Sequence, residues 1–330
     1  MLRDRVSKKR IKQFMKRFIF LTIILLMSSL LAAQSSSRIS PENTVLPPSS
    51  KIVNAKNLLS DIKMLAADEM RGRGAGSAES VKAREFVEKR FKESGLKLLE
   101  NSYLQEFPLR SRNNVEAGKG VNVIGVIKGR KNAEKYIVIT AHYDHVGVED
   151  GEIYNGADDN ASGTAALFAL AEYFNKNQPS NSLLFVAFDA EERGLQGARY
   201  FVNNLPVKQE SILLNINMDM ISRSDKSELY AVGTFHYPLL KPHLETVAKR
   251  APVKLLLGHD RPELGRDDWT NQSDHAAFHQ AKIPFIYFGV EDHADYHRPT
   301  DDFENINQDF YVEAVETILS AVKELDKNLK

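Results

Sequence analysis

Apolar positions along this chain change their period several times. Over 54–67 and 78–94 they recur every three to four residues, the spacing that lines one face of a helix. The second stretch, AESVKAREFVEKRFKE, meets a stop signal in Gly95. Val121–Ile127 and Tyr136–Thr140 are instead short runs rich in β-branched residues, and they predict strands. The alternation then continues. A buried helix is predicted at Ser162–Phe174, a strand at Ser182–Phe188, a helix near 195–203 and a strand at Ile212–Ile216. Glu228–Val232 reads as a strand, Pro238–Arg250 as a helix, Val253–Leu257 and Ile283–Phe288 as short strands, and 309–325 as a closing amphipathic helix. Strands this apolar are covered on both faces. The pattern predicts an α/β fold, a three-layer α/β/α sandwich around a mixed, largely parallel central sheet.

Composition narrows the picture. The 330 residues are 42% hydrophobic and 27% charged, close to an ordinary globular protein, and contain no cysteine. Disulfide scaffolds, cysteine zinc fingers and thiol nucleophiles are therefore excluded. Lys+Arg and Asp+Glu both number 44, but the balance is uneven. Residues 1–33 hold eight basic residues and one acid, and the remaining chain holds 36 basic and 43 acidic residues, a net of −7. The basic flank precedes FIFLTIILLMSSLLAA (18–33), the pattern of a signal peptide with cleavage after Ala33 or Ser35, or of an uncleaved N-terminal anchor. Residues 34–50, with six Ser and three Pro, read as a flexible linker, and 51–330 as one folded domain. The expectation is an exported protein, periplasmic or extracellular. An acidic mature chain gives no support to nucleic-acid binding, and no stable membrane partner is expected unless 18–33 stays uncleaved.

The candidate chemistry sits where strands end. YIVIT runs into AHYDH (141–145), LLFVAF into DAEE (189–192) and ILLNIN into MDM (218–220), and FIYFG leads to DYHRPTD (295–301). NGADDNASG (155–163) precedes a helix. Ligands of open α/β sheets bind beyond the carboxyl ends of the strands. His142, Glu191, Glu192, Asp219 and His297 would meet at that edge, joined by Asp158 and Asp159. Two histidines with several carboxylates and no cysteine suit zinc in a hydrolytic site. Two divalent ions would be balanced by Asp159, Glu192, Asp219 and a hydroxide, and a short carboxylate on a rigid loop, such as Asp159, suits a bridge between ions about 3.5–4 Å apart. Each motif alone has a plain explanation. HYD can be a strand-end histidine satisfied by an aspartate, Glu191-Glu192 a solvated turn, and GADDNASG a capped loop. Their joint occurrence in this order does not.

As a set, AHYDH, GADDNASG, DAEERGLQGA, NMDM and YHRPTDD resemble the co-catalytic double-zinc aminopeptidases, the group of bacterial leucyl-type aminopeptidases and aminopeptidase Y. Glutamate carboxypeptidase II, glutaminyl cyclase and the transferrin receptor are more distant relatives. The resemblance implies two Zn²⁺ per chain, with His142 and Asp219 on one ion, Glu192 and His297 on the other, and Asp159 on both. It implies Glu191 as general base, Asp144 as the residue that orients His142, and Tyr296 beside the oxyanion. The implied activity is hydrolysis of the N-terminal bond of peptides with a free N-terminus by a metal-activated water.

This chain departs from some relatives. It has no room for a protease-associated insertion between Gly95 and Val121, and no active-site disulfide. Three alternatives remain on the same scaffold: a glutaminyl cyclase with one zinc, a carboxypeptidase using Arg261, Arg266 or Arg298, and a non-catalytic ectodomain. The loop Leu257–Asp274, with the single Trp, is a candidate substrate wall. Histidines 145, 236, 243, 259, 275, 279 and 293 are expected to be structural or exposed, with His293 the main rival to His297.

Overall fold

The computed structural model describes residues 52–99, 101–111 and 113–330. The expected signal segment (1–33) and linker (34–50) lie outside the described residues. Eight strands form one sheet: β1 (Leu104–Arg110), β2 (Glu116–Ile127), β3 (Asn132–His142), β6 (Asn181–Phe188), β7 (Ile212–Met218), β8 (Glu228–Val232), β9 (Lys254–Leu257) and β10 (Phe285–Gly289). A separate hairpin pairs β4 (Gly147–Glu149) with β5 (Glu152–Tyr154). The spatial order is β1-β2-β6-β3-β7-β10-β8-β9. The four central strands, β6-β3-β7-β10, are mutually parallel, whereas β2 and β8 run antiparallel to their central neighbours.

Side-chain alternation explains the layers. Ile137, Ile139, Leu183, Phe185, Leu214 and Ile216 face one side of the sheet. There they pack against helices α1 (Ala55–Leu65), α2 (Ala78–Glu93), α3 (Gly163–Lys176), α5 (Lys241–Ala248) and α7 (Gln308–Asn328). Val138, Leu184 and Val186 face the other side, against Phe201 of α4 (Gln196–Asn203) and Phe278 of α6 (His275–Gln280). Every residue of β6 is buried, as expected for a strand covered on both faces. The mixed three-layer sandwich predicted from the hydrophobic pattern is the observed fold. Among the described residues no helix is long and apolar enough to cross a membrane.

Four features depart from the expected elements. The edge strand β1 (LQEFPLR) was hidden by Pro108, which edge strands tolerate because they leave N–H groups unpaired. The stretch Pro238–Arg250 opens as a 3₁₀ turn before α5 begins. The short α6 lies inside the polar SDHAAFHQ segment, where too few turns exist to show a period. Asp68–Arg73 forms a kinked 3₁₀ segment with Arg71, Gly72 and Arg73 all left-handed. A Cβ at Gly72 would stand 2.2 Å from the Tyr154 carbonyl oxygen, so only glycine lets this segment lie against the β4–β5 hairpin.

Candidate metal centre

Three parallel strands end at the same edge, and their next residues carry the chemistry. His142 closes β3, Glu191 and Glu192 follow β6, and Asp219 follows β7. Asp159 lies in the turn before α3, and His297 in the loop after β10. The backbone there is strained: Ala190, Met220 and His297, beside or within the cluster, have φ of 59°, 56° and 51°. Non-glycine residues in this region are held there by their surroundings, and such residues gather at functional sites.

The side chains form two groups joined through Asp159. His142 Nε2 stands 3.2 Å from Asp219 Oδ1 and 3.4 Å from Asp159 Oδ1. His297 Nε2 stands 3.0 Å from Asp159 Oδ2 and 3.4 Å from Glu192 Oε1. The two oxygens of Asp159 thus face two different histidines. Ligands about 2.0–2.1 Å from a tetrahedral zinc are about 3.3 Å from one another. The observed separations match those edges, and all the donors are the nitrogen and oxygen types zinc takes. His142 Nδ1 lies 3.1 Å from the Asp144 carbonyl oxygen, a contact that orients the ring with Nε2 toward the carboxylates.

The electrostatics ask for positive charge at the same place. Burial opposes charge on His142, but Asp219 and Glu191 outweigh it and hold its pKa well above the imidazole range. Burial likewise opposes charge on His297, yet Asp159 and Glu192 push it up to about 10. Glu191 is raised well above the carboxylate range, chiefly by burial, with His142 pulling the other way. Carboxylates packed at this density require cations among them.

A scaffold holds the loops. Asp301 accepts the backbone N–H groups of Asp158 and Asp159, at 2.9 and 3.0 Å. Asp158 turns away from the cluster, accepting from Ser222 N–H and Oγ and facing His293 Nε2 at 3.0 Å. His293 therefore serves the Asp158 support, and Asp159 alone of the pair enters the cluster. The Asp144 carboxylate lies 3.6 Å from His142 Nδ1 and instead accepts the Glu191 N–H at 3.0 Å. Gly156 is left-handed, and a Cβ there would stand 2.1 Å from the Asp159 carbonyl oxygen.

A cleft of about 260 Å³ opens on Asp159, Glu191, Glu192, Asp219 and His297. Met220, Trp269 and Tyr296 also line it. The Tyr296 ring stacks on His297 at 4.0 Å, and Trp269 stacks on His259 at 3.8 Å. From the loop 257–274 the lining includes Trp269 and Gln272, whereas Arg261, Arg266 and Arg298 are not part of it.

Sequence reasoning passed over two residues here. His145 was grouped with structural or exposed histidines, yet it is buried with Nδ1 2.7 Å from Glu192 Oε1 and 3.7 Å from Asp159 Oδ2. Its place in AHYDH, three residues after His142, was the available signal. Asp274 is fully buried near His142 and Asp219, and burial pushes its pKa up to about 8. Nothing in NQSDH marks it apart from an ordinary helix-starting aspartate.

Comparison with known proteins follows the same lines. The profile described as Peptidase family M28 matches residues 122–322, more than half of the chain. Aminopeptidase YwaD of Bacillus subtilis (strain 168) is 32% identical over 219 residues, 63% of this chain and 45% of that protein. The chain spans about half the length, or less, of the first curated relatives it matches. Among solved structures, BSAP, a zinc aminopeptidase from Bacillus subtilis, aligns with TM-score 0.68 and 18% identity over 86% of this chain and 96% of that one. The Porphyromonas gingivalis glutaminyl cyclase aligns with TM-score 0.68 and 17% identity over 83% and 99%. At such identities these two structures speak for the fold.

Proposed function

Because the chain belongs to Peptidase family M28, we propose that it is an exported zinc-dependent metallo-exopeptidase, an aminopeptidase acting on peptides with a free N-terminus. One observation carries the reading: the two Asp159 oxygens face His142 Nε2 and His297 Nε2 separately, at 3.4 and 3.0 Å. A carboxylate so placed would serve two ions, with His142 and Asp219 holding one and Glu192 and His297 the other. When bound, the two Zn²⁺ supply Lewis acidity and a water of lowered pKa.

The chain's own groups then divide the work. Glu191, which lines the cleft beside Asp159, Glu192 and Asp219, takes the proton of the attacking water and passes it to the leaving amine. Asp144 holds the Glu191 backbone through its N–H. Burial, with Asp159 and Asp219, keeps the Tyr296 hydroxyl protonated, so it donates to the carbonyl oxygen as negative charge develops there. Met220 and Trp269 offer an apolar surface to the first side chain of the substrate. The basic flank and apolar run of residues 1–33 support export, and the acidic remainder supports a soluble peptide substrate over a nucleic acid.

The test is incubation of the zinc-loaded protein with unblocked, N-acetylated and C-amidated peptides, read by mass spectrometry. Stepwise loss of N-terminal residues, abolished by acetylation and by a chelator, is expected. Trimming from the C-terminus would make it a carboxypeptidase. Loss of ammonia from N-terminal Gln would make it a cyclase. Intact peptides throughout would favour a binding role.

A further inference from the structure

Among the described residues, Arg73 is the largest of the wholly buried side chains. Buried arginines are normally matched by a carboxylate, but every described hydrogen bond of this guanidinium goes to a backbone carbonyl. Nε donates to Tyr143 O at 2.7 Å, Nη1 to Leu65 O at 2.7 Å and Asn155 O at 2.6 Å, and Nη2 to Gly156 O at 2.9 Å. These carbonyls belong to three distant segments. Leu65 ends α1, Tyr143 lies between His142 and Asp144, and Asn155 and Gly156 lead into Asp158 and Asp159. Arg73 itself is left-handed, with φ of 51°, and the neighbouring Gly72 is wedged against Tyr154 and Gly147. The charge is therefore held in place from both ends. The carboxylates of Asp159, Asp144, Asp301 and Glu192 favour its charge through space, without a direct ion pair to the guanidinium.

We propose that Arg73 is the positioning residue of the metal centre: its planar fork fastens the His142 loop to the Asp159 loop, and its charge steadies the carboxylates behind the ligands. The proposal rests on the reading of the site as a two-metal centre. The planar guanidinium matters because it sends donors along fixed directions to three chain segments at once. A lysine ammonium keeps the charge but not that geometry. Loss of the fork would leave the carbonyl oxygens of Leu65, Tyr143 and Asn155 without a partner, Gly156 O keeping only the Ala161 N–H, and let the two ligand loops shift relative to each other, and a displacement of well under an ångström is enough to spoil a tetrahedral site.

The experiment compares the wild-type protein with Arg73→Lys and Arg73→Met. Zn²⁺ stoichiometry and affinity are measured by chelator competition, the Co²⁺-substituted absorption spectrum reports ligand geometry, and circular dichroism with thermal melts of the metal-free forms reports folding. Two equivalents are expected in the wild type. Arg73→Met is expected to fold, bind at least one equivalent ten-fold or more weakly and change the Co²⁺ spectrum, with Arg73→Lys recovering part of the affinity. Wild-type affinity and spectrum in folded Arg73→Met would overturn the proposal. If Arg73→Met does not fold, wild-type affinity and spectrum in Arg73→Lys would overturn it, and so would failure of both variants to fold, since the residue would then serve the whole fold. A wild type that binds no zinc would refute the two-metal reading itself, and the proposal with it.

Discussion

Asp301 offers a way to loosen the bridging carboxylate without touching it. Its two oxygens accept the N–H groups of Asp158 and Asp159 at 2.9 and 3.0 Å, and the side chain is almost wholly buried. Asp301→Asn keeps the shape and one acceptor, but turns the other oxygen into an NH₂ that faces an N–H. A hydrogen bond to a charged group contributes about 1.5–3 kcal/mol, and a buried unpaired donor costs about 1–3 kcal/mol. The change should therefore weaken the hold on this turn by about 2.5–6 kcal/mol. Part of that loss falls on the fold and part on the metal-bound form, which needs Asp159 between both histidines. If half of it, about 1.3–3 kcal/mol, falls on the metal, affinity drops about 10- to 150-fold. Chelator competition measures the second part, and urea unfolding of the metal-free protein measures the first. A variant with wild-type metal affinity, whatever its unfolding free energy, would refute the idea that this carboxylate aligns the bridge.

Three further outcomes are expected. Glu191→Gln should retain both metal equivalents by elemental analysis while kcat falls about 10²- to 10⁴-fold, the usual contribution of a general base; near-normal turnover would remove Glu191 from that role. Asp159→Ala should lose at least one equivalent, and two retained per chain would contradict the bridge. Burial holds the pKa of His275 at about 4, below the 6.5 of a free imidazole, so the folded protein resists its protonation. The stability this contributes is complete above pH 6.5 and is lost as pH falls toward 4, by about 2 kcal/mol at pH 5; urea unfolding of wild type and His275→Gln at pH 7 and pH 5 should differ by that change, and equal slopes would exclude it.

The sequence by itself determined the layers and most of the site. Runs such as YIVIT and LLFVAF are apolar on both faces, so they had to be central strands covered by helices. Parallel strands then bring their next residues, His142, Glu191, Glu192 and Asp219, to one edge wherever each strand sits in the sheet. Only the tertiary structure decided what depends on direction and distance. Asp158 and Asp159 are adjacent and chemically identical, yet Ser222 and His293 draw one away while the Asp301 carboxylate holds the turn that leaves the other in the cluster. His145 joins through Nδ1, 2.7 Å from Glu192 Oε1 on the segment after another strand, a contact no periodicity encodes. Pro108 concealed an edge strand because hydrogen bonding at an edge relaxes the rule that excludes proline from a sheet interior. Arg73 stands 70 residues before Tyr143 and 83 before Gly156. In sequence it is one arginine among many, and its place is set by carbonyls that only folding brings together.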